Sequence, residues 1–377
     1  MPLPIHHQWP VVRVASHAAA AALGISAFAH GQSVLYAWGS NSVGQSQVPS
    51  GESFVAVAAG NLHSVGLRAN GSVHCWGANN SGQCAVPVDL PEVRQVAAGG
   101  WYGATDGRAH TAALLADGTV RVWGNNQYGQ ASVPAGLSSV VQVACGWAHT
   151  AALRSDRSVV VWGAGTSASG SDPNWGQAIV PGDLGPVAFI STRGCHVMAL
   201  VDGGSVRCWG RAQEGQCAVP SGLVARAISA GSDHSMAIDA SGVVRCWGWN
   251  YFGQSSVPAG MQPVTKIAAT MYGSIALQDD GLVRTWGLIA APAETPSCVE
   301  ELVGGGFHAL ILSGASPCPT CADADTNRDG VVDGNDLGVL LSEWGVAAPG
   351  SVCDFNEDGF VNGADLGFLL SFWGTCP

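Results

Sequence analysis

The stretch AAGNLHSVGLRANGSVHCWGANNSGQCAVP, residues 58–87, recurs along the chain and decides its fold. Apolar and polar residues alternate on either side of Asn70-Gly71, a dipeptide typical of the tight turn of a β-hairpin. The Trp-Gly dipeptide of this stretch occurs seven times, at Trp38, Trp76, Trp123, Trp162, Trp209, Trp247 and Trp286. Successive dipeptides lie about 40 residues apart and two of the intervals are longer, which indicates one repeat length with two insertions. Such repeats of short strands predict a ring or stack of small antiparallel sheets, because one unit cannot bury its apolar face alone.

The two ends of the repeated region complement each other. Trp38-Gly39 has no His-containing strand before it, and the strand around His308 has no Trp-Gly after it. We therefore expect the N-terminal strand to complete the last repeat and to close a seven-bladed β-propeller without a free sheet edge. The predicted fold class is all-β, followed by a small α-helical module with paired calcium loops.

The repeats follow the pattern Ala-x-Gly-x-x-His-[Ser/Thr]-x-Ala-Leu-x-x-Asp-Gly-x-Val-x-x-Trp-Gly-x-Asn-x-x-Gly-Gln through residues 33–313. In these positions the chain resembles the regulator of chromosome condensation (RCC1) repeat family. It is most similar to the short-repeat secreted members, such as the bacterial β-lactamase inhibitor proteins of the second type. The resemblance implies a seven-bladed propeller. Two departures are local: Gly273 takes the His position of the sixth unit, and the Asn-x-x-Gly-Gln loop is missing after Trp286.

The segment 1–29 has the layout of a secretory signal peptide. Arg13 precedes an apolar core at residues 18–28, and Ala27-Phe28-Ala29 fits a small-x-small cleavage site. A disordered Ala-rich start is the alternative. No later apolar run reaches the roughly 18 residues that a membrane span needs. We therefore expect a secreted or cell-surface protein with a signal peptide (1–29), a propeller (30–313), a linker (314–320) and a calcium module (321–377).

Charge is distributed unevenly between the predicted domains. Residues 30–317 contain 17 acidic and 13 basic residues, whereas residues 318–377 contain ten acidic residues and one arginine. The nearly neutral propeller lacks the basic surface that neutralises phosphates, so nucleic acid is not an expected partner. The concentration of acid in the tail indicates either disorder or calcium binding.

Twelve cysteines in an exported chain predict disulfides. Comparison of the repeats shows cysteine at both or neither of two positions that flank the Trp-Gly loop, except at Cys246 with Ser255. We therefore predict the local bridges Cys75–Cys84 and Cys208–Cys217. Further candidates are Cys145–Cys195, Cys246–Cys298 and pairings among Cys318, Cys321, Cys353 and Cys376, with free buried thiols as the alternative.

The acidic tail contains two copies of a loop with calcium ligands at positions 1, 3, 5, 7, 9 and 12. The first copy supplies Asp325, Asn327, Asp329, the carbonyl of Val331, Asp333 and Asp336, and the second Asp354, Asn356, Asp358, Phe360, Asn362 and Asp365. Each loop precedes an apolar stripe at helical spacing: Leu337, Leu340, Leu341 and Trp344, then Leu366, Leu369, Leu370 and Trp373. Helices this short are marginal alone, so we expect them to pack together once two calcium ions fix the loops.

The tail resembles a type I dockerin, a duplicated calcium loop–helix module with aspartate at position 12. The resemblance implies docking to a cohesin-like or surface receptor. The positions that dockerins use for recognition hold small residues here, at 334–335 and 363–364. A calcium-stabilised end module with a purely structural role is therefore the alternative.

The repeats offer few residues for catalysis. Six histidines share one repeat position, which is typical of a structural role: His63, His110, His149, His196, His234 and His308. A metal-binding ring of these histidines is the alternative. The sequence contains no nucleophile elbow, phosphate-binding loop or zinc spacing. Acidic loop residues could form a carboxylate pair, namely Asp106, Asp172, Glu214 and Asp233, but we assign no catalytic residue.

The alternation of strand directions places the Gly-x-x-His and Trp-Gly-x-Asn loops on one face of the ring. Both insertions, at residues 101–109 and 165–173, fall in these loops. The same loops hold Trp101, Tyr102, Tyr128, Trp147, Trp175, Trp249, Tyr251, Phe252 and Tyr272. Aromatic residues are enriched where partners dock. We therefore expect this face to bind an extracellular protein or glycan, although some of the rings will pack between blades.

Three functions remain open on the sequence. The first is a secreted, non-catalytic binding protein, and the second is an extracellular polysaccharide-acting enzyme with a dockerin-like tail. The third is light sensing, because residues 146–150 (GWAHT) resemble the Gly-Trp-Arg-His-Thr motif of plant ultraviolet photoreceptors, with Ala148 in place of the arginine. Nucleotide exchange on a small GTPase, the activity that names the repeat family, is disfavoured by the export signal.

Overall fold

The computed structural model describes residues 33–100, 108–292, 296, 299–314, 324–347, 351–355, 360–361, 365–366, 369–370 and 374–375. The predicted signal peptide and most of the linker lie outside these residues. The described part of residues 33–314 consists of short strands and turns, as the hairpin pattern predicts.

Seven three-stranded antiparallel sheets, numbered here in chain order, make up this part of the chain. The strands are β2 (Ala56–Ala59), β3 (His63–Leu67) and β4 (Val73–Gly77) in sheet 1; β5 (Val93–Gly100), β6 (Ala109–Leu115) and β7 (Val120–Gly124) in sheet 2; β8 (Val140–Cys145), β9 (His149–Arg154) and β10 (Val159–Gly163) in sheet 3; β13 (Val187–Thr192), β14 (His196–Val201) and β15 (Val206–Gly210) in sheet 4; β16 (Ala225–Ala230), β17 (His234–Asp239) and β18 (Val244–Gly248) in sheet 5; β19 (Val264–Ala269), β20 (Gly273–Gln278) and β21 (Val283–Gly287) in sheet 6; and β22 (Val299–Gly304), β23 (His308–Ser313) and β1 (Val34–Gly39) in sheet 7. The second insertion forms a hairpin of β11 (Ala168–Ser171) and β12 (Asn174–Trp175), and Asp202–Gly204 is a 3-10 turn.

The N-terminal strand belongs to the last sheet. β1 pairs antiparallel with β23, in a register that runs from Val34 opposite Ser313 to Gly39 opposite His308. The predicted closure between the two ends of the repeated region is therefore confirmed. It gives β23 a hydrogen-bonded neighbour on both sides, because β22 pairs with its other edge.

The first strands of successive sheets form a closed circuit. Each contacts its counterpart in the next sheet, from β2 through β5, β8, β13, β16 and β19 to β22, and β22 contacts β2. The apolar cores lie between neighbouring sheets. Val65 and Leu67 of sheet 1, for example, pack with Leu115 and Trp123 of sheet 2. Each sheet buries its faces against two neighbours, which is the burial that the isolated repeat lacks.

At six of the seven boundaries, one glutamine carbonyl joins a loop to the following sheet. The indole N–H of Trp123 donates to the Gln83 carbonyl at 2.9 Å, and the Thr111 hydroxyl donates to the same oxygen at 2.8 Å. The same pair of donors occurs at four other boundaries: Trp76 and Ser64 on Gln45, Trp162 and Thr150 on Gln130, Trp247 and Ser235 on Gln216, and Trp286 and Ser274 on Gln254. Trp209 donates to Gln177.

The glutamine side chain shapes the loop that presents this carbonyl. Gln130 is buried, accepts a hydrogen bond from the Tyr128 amide at 2.9 Å and donates to the Asn125 side chain at 2.8 Å. The Trp-Gly-x-Asn-x-x-Gly-Gln motif is therefore a single device for docking one sheet on the next. This loop is missing after Trp286 of sheet 6, and there Trp38 of sheet 7 donates to the Ala290 carbonyl instead.

The tail has an internal two-fold pattern. Its described elements are β24 (Val331–Val332), α1 (Gly334–Ser342), β25 (Gly345–Val346), β26 (Phe360–Val361) and β27 (Gly374–Thr375). β24 pairs with β27 and β25 pairs with β26, so each loop pairs with the segment that follows the other repeat's apolar stripe. Leu340 and Leu369, which occupy the same position in the two copies, lie in one buried cluster. The two copies therefore share a core.

Two of the predicted disulfides are present, Cys75–Cys84 and Cys208–Cys217. The predicted bridge Cys145–Cys195 is wrong, since both thiols are free and buried. The physical reason is that Cys145 packs in the core between sheets 2 and 3, whereas Cys195 precedes β14 in sheet 4. Cys246 and Cys353 are also free, so the pairings that use them are wrong. The other four candidates, Cys298, Cys318, Cys321 and Cys376, lie outside the described residues.

No helix in the described part of the chain is long and apolar enough to cross a membrane.

Candidate partner-binding face

The two loop types lie on one face of the ring because a backbone hydrogen bond ties them together. Trp249 N donates to the Asp233 carbonyl, and Leu288 N donates to the Tyr272 carbonyl, both at 2.8 Å. The equivalent bonds are Ser40 to Phe307, Ala78 to Leu62, Asn125 to Ala109, Ala164 to Ala148 and Arg211 to Cys195. In each sheet, the residue after Trp-Gly therefore contacts the residue before the His position. The shared face that the strand directions predict is confirmed.

Five rings from three neighbouring repeats form a continuous cluster on this face, the aromatic patch: Trp249, Tyr251, Phe252, Tyr272 and Phe307. Neighbouring ring centroids are 5.0 to 6.1 Å apart. Tyr251 is 79% exposed and Phe252 38% exposed, whereas the other three are half-buried. The half-buried rings support the exposed ones from below.

The sequence predicts four of these five residues and misses Phe307. Phe307 follows two glycines in the seventh Gly-x-x-His loop, so its position in the repeat is the signal that could have found it. It contacts Tyr272 with a centroid distance of 5.6 Å.

The other predicted aromatic residues lie apart from the patch. Trp147 is only 8% exposed, so its ring is packed inside the ring of sheets and is not available to a partner. Tyr128 is half-buried in the loop of sheet 2. Trp101 and Tyr102, in the first insertion, lie outside the described residues.

A charged cluster adjoins the patch at the Asp233–Trp249 contact. Arg211 forms an ion pair with Asp233 and lies 3.6 Å from Glu214. Its guanidinium stacks over the ring of Trp175 at 5.5 Å from the centroid, and the Trp175 indole N–H donates to Asp172 at 2.6 Å. Three of the four acidic loop residues that the sequence singles out are thus brought together, and the fourth, Asp106, lies outside the described residues.

Asp233 carries a perturbed carboxyl group within this cluster. Burial raises its pKa above the usual range, and Glu214 and Asp172 act in the same direction, although Arg211 opposes them. Two of the carboxylates, those of Asp233 and Glu214, face the Arg211 guanidinium. Asp172 is held by the Trp175 ring that stacks on this guanidinium. A buried acid with a raised pKa is the kind of group that general acid catalysis uses.

The six repeat histidines form a buried ring that crosslinks neighbouring sheets. His63 Nε2 lies 3.1 Å from the Thr111 hydroxyl of the next sheet. The other pairs are His110 with Thr150, His149 with Thr192, His196 with Ser235, His234 with Ser274 and His308 with Ser64. At the boundary of sheets 6 and 7 both partners are absent, because Gly273 replaces the histidine and Ala309 the hydroxyl residue. The histidine and its acceptor therefore behave as one unit.

The hydroxyl groups also fix the proton on each histidine. Thr111 donates its own proton to the Gln83 carbonyl, so it accepts from His63, which must carry its proton on Nε2. The Nδ1 atoms of all six histidines are buried without a partner. Burial lowers the pKa of every one, to about 3 for His63, His149, His234 and His308 and to about 4 for His110 and His196. These neutral, hydrogen-bonded histidines are structural.

At four of the six histidines, a glycine three residues before the histidine makes room for the imidazole ring. A Cβ on Gly60, Gly146, Gly231 or Gly305 would overlap the imidazole of its own repeat. In sheet 6 there is no imidazole to accommodate, because Gly273 replaces the histidine. There Thr270 takes the place of the glycine. The Thr270 hydroxyl then accepts from Gly273 N at 2.8 Å.

In the first calcium-type loop, the carboxylates hold the loop backbone. Asp325 accepts from Asp329 N and Gly330 N at 3.0 and 2.8 Å, and Asp336 accepts from Asp333 N at 2.9 Å. Asp333 caps α1 and forms a reciprocal capping box with Asp336. No three His, Cys, Asp or Glu side chains converge as a metal site anywhere among the described residues. In the second loop Asp365 accepts from Phe355 N, while Asn356, Asp358 and Asn362 lie outside the described residues.

The repeats and the fold are similar to those of known proteins. A model of the regulator of chromosome condensation (RCC1) repeat matches residues 54–83, 93–130, 140–168 and 225–254. The chain carries RCC1-like repeats. Prp20p of Saccharomyces cerevisiae is 18% identical with a TM-score of 0.58, over 76% of this chain and 92% of that one. Human WBSCR16 is 20% identical with a TM-score of 0.57, over 71% of this chain and 89% of that one.

The ectodomain of the receptor kinase CR4 from Physcomitrella patens is also similar, at 25% identity and a TM-score of 0.55 over 69% of this chain and 70% of that chain. No curated protein matches by sequence. The repeat match and the structural neighbours together make the chain an RCC1-like repeat propeller.

The buried histidines make the RCC1-like propeller sensitive to acid. Because folding lowers their pKa, the unfolded chain binds protons below about pH 6.5 that the folded chain does not. Stability is therefore full above this pH and is lost as the pH falls toward 3, by up to about 1.4 kcal/mol per pH unit for each histidine. Denaturant unfolding between pH 7 and 4 should show this slope.

The slope has an internal control. His149→Gln should lower stability at pH 7, because the Thr192 hydroxyl loses the imidazole that donates to it. At about pH 5, between the folded and unfolded pKa values of His149, the variant should take up about one proton fewer on unfolding. An unchanged uptake in this variant would mean that the ring histidines are not the groups that titrate.

Proposed function

We propose that this chain is a secreted, non-catalytic binding protein. Its seven sheets are the blades of a seven-bladed propeller, and the loop face of that propeller recognises a protein or a glycan. The observation that carries the proposal is the aromatic patch, where Tyr251 and Phe252 are exposed on supporting rings.

The chemistry of the patch supports a recognition role. Large rigid rings offer contact area at little cost in conformational entropy, and hot spots of binding are enriched in Trp and Tyr. An exposed cluster of such rings is unusual on a soluble protein surface without a partner. The neighbouring charged cluster, with Arg211 and Asp233, supplies hydrogen-bonding groups that can fix the orientation of a ligand.

Similar propellers bind proteins. Prp20p was crystallised in work on its binding to Gsp1p and histones, and yeast RCC1 (Prp20) was crystallised bound to Kap60. The likeness extends the general role of a protein-binding scaffold to this chain, but not those partners, since the site is not carried by the fold.

Secretion is supported by two observations. The disulfides Cys75–Cys84 and Cys208–Cys217 indicate an oxidising compartment. The residues before the propeller have the layout of a signal peptide. The resemblance of the repeat pattern to the secreted type II β-lactamase inhibitor proteins agrees with this part of the proposal.

We propose that the tail is a dockerin-like module that binds two calcium ions and attaches the protein to a cohesin-like or surface receptor. The donor set fits a hard cation, because Asp325, Asp329, Asp333 and Asp336 supply carboxylate oxygens and Asn327 an amide oxygen. Arg328 and Gly330 take positive φ values of 60° and 88°, which give the loop its sharp turn. The reciprocal pairing of β24 with β27 and of β25 with β26 supports a duplicated module.

The binding role is tested by capture from the native secretome with the mature chain. The wild type should retain one stoichiometric ligand, and the double variant Tyr251→Ala/Phe252→Ala should bind it at least about tenfold less tightly. Val88→Ala is the matched control, because Val88 is fully exposed outside the patch. Both variants should keep the wild-type melting temperature.

The enzyme alternative rests on Asp233, whose carboxyl group combines a raised pKa with two neighbouring carboxylates. If the wild type hydrolyses a member of a polysaccharide panel and Asp233→Asn does not, the protein is a hydrolase and not a non-catalytic binding protein. Equal ligand capture by the wild type and the double variant would remove the patch from the proposal.

Calcium binding is tested by calorimetry on the calcium-free chain. Two ions should bind, and Asp325→Ala should abolish one of them, because Asp325 is the first ligand of the first loop. Asp183→Ala is the control, since Asp183 lies in the propeller and pairs with Arg207. Two unaltered sites in Asp325→Ala would refute the ligand assignment.

A further inference from the structure

Arg193 occupies a position that is glycine in five of the other sheets. The equivalent residues are Gly60, Gly99, Gly146, Gly231 and Gly305, with Thr270 in sheet 6. The Arg193 guanidinium donates from Nη2 to the Ala59 carbonyl at 3.1 Å and to the Gly304 carbonyl. These carbonyls belong to sheets 1 and 7, which lie three sheets away from sheet 4 in either direction around the circuit. The side chain therefore crosses the axis of the ring.

The described hydrogen bonds of the Arg193 guanidinium go to carbonyl groups. No acidic side chain of the described residues forms an ion pair with Arg193. Burial lowers its pKa to about 10, and its charge in turn lowers the pKa of His63, His234 and His308. Two carbonyl dipoles use only one of its three nitrogens, so donors of the guanidinium remain. Arg193 is half-buried, and a partly desolvated guanidinium is stabilised when an anion joins it.

Two further polar groups near the axis lack partners. Asn61 Nδ2 and Ser232 Oγ are buried without a hydrogen bond, in residues that are 3% and 1% exposed. Both residues occupy the position after the glycine of the Gly-x-x-His loop. Buried polar groups are normally satisfied, so these two indicate a missing partner.

The same two residues interrupt a ring of backbone hydrogen bonds that links successive loops. The bonds present are Gly100 N to Gly146 O, Trp147 N to Gly194 O, Gly194 N to Gly231 O, Met271 N to Gly306 O and Gly306 N to Gly60 O. No corresponding bond leaves Asn61 or Ser232 in the described chain. The ring of hydrogen bonds between loops is therefore interrupted after sheet 1 and after sheet 5.

Backbone contacts place these groups at the two ends of the Arg193 side chain. Ser232 O is so close to the Cα atom of Gly194, the residue after Arg193, that a Cβ there would overlap it. At the other end, Asn61 follows Ala59, whose carbonyl holds the guanidinium, by two residues. The Asn61 amide also packs against Gly306, where a Cβ would come within 2.5 Å of Oδ1.

We propose that the axis of the ring is a binding site for a small anion of carboxylate chemistry, held by the Arg193 guanidinium and the Asn61 amide, which lie on the same side of the axis. The Ser232 hydroxyl lies at the backbone end of the Arg193 side chain, outside this site. A carboxylate matches a guanidinium in charge and in geometry. The anion is either a free small acid or an acidic side chain that a partner inserts from the loop face. The site does not depend on the aromatic patch.

Calorimetry with acetate at constant ionic strength tests the site on the full mature chain. Wild type should show saturable binding, and Arg193→Gln should weaken it at least about tenfold, because the charge-assisted bonds are lost. Arg193→Lys keeps the charge and should retain part of the affinity. Arg157→Gln is the control, since Arg157 is an exposed arginine paired with Asp202.

For Asn61→Asp we expect a gain in stability, and this variant tests the site even if Arg193→Gln does not fold. A carboxylate at this position would mimic the bound anion, so the variant should gain thermal stability and lose acetate binding. A destabilised Asn61→Asp, or acetate affinity equal in wild type and Arg193→Gln, overturns the proposal.

The source of the carboxylate is resolved by two probes. A capped peptide with a central Asp is compared with its Asn counterpart, in parallel with acetate. Preference for the Asp peptide over acetate assigns the site to an inserted partner side chain. Binding of acetate with no preference between the peptides assigns it to a free small acid.

Discussion

Six of the seven boundaries between sheets depend on one backbone carbonyl, that of the glutamine in the Trp-Gly-x-Asn-x-x-Gly-Gln loop. This oxygen receives the indole N–H of the next Trp-Gly and, at five boundaries, a Ser or Thr hydroxyl. The hydroxyl then accepts from the histidine of a neighbouring sheet. Three side chains of the motif thus converge on one inter-sheet contact. Their contacts are buried, where hydrogen bonds are strong and costly to break.

The exceptions around the ring follow from the same constraint. Thr192 replaces the missing hydroxyl of sheet 4 from a different strand, and it accepts from His149 at 2.7 Å. At the boundary of sheets 6 and 7, Gly273 replaces the histidine and Ala309 replaces the hydroxyl residue. Neither a lone donor nor a lone acceptor is therefore buried there. Where the repeat loop itself is absent, Trp38 finds the Ala290 carbonyl. At these boundaries the hydrogen bond between sheets is kept, or both of its partners are removed, while the residues that make it change.

Much of the fold follows from the sequence because it is set locally and repeated. The period of Trp-Gly gives the sheets, the unmatched end strands give the closure of β1 on β23, and the paired cysteines of one loop give two disulfides. Pairings between repeats were not predictable in this way. Cys145 and Cys195 share no local geometry, and only the packing of sheet 3 against sheet 2 shows that they cannot meet.

The candidate site was only partly predictable, for a related reason. The strand directions identify the face, but whether a ring is exposed depends on its neighbours. Trp147 and Tyr251 occupy loops of the same face and differ in exposure from 8% to 79%. The contact of Arg211 with Asp233 joins loops of two neighbouring repeats through residues that the repeat pattern does not specify. Long-range contacts of this kind leave no periodic signal in the sequence.

Native-state hydrogen exchange of β1 tests the central claim, that the N-terminal strand and its inter-sheet contacts close the ring. If β1 completes sheet 7, its amides that bond to β23 should exchange only when the whole propeller unfolds, with the same free energy as β23 itself. Exchange of the β1 amides at rates typical of a frayed terminus, while β23 stays protected, would contradict it.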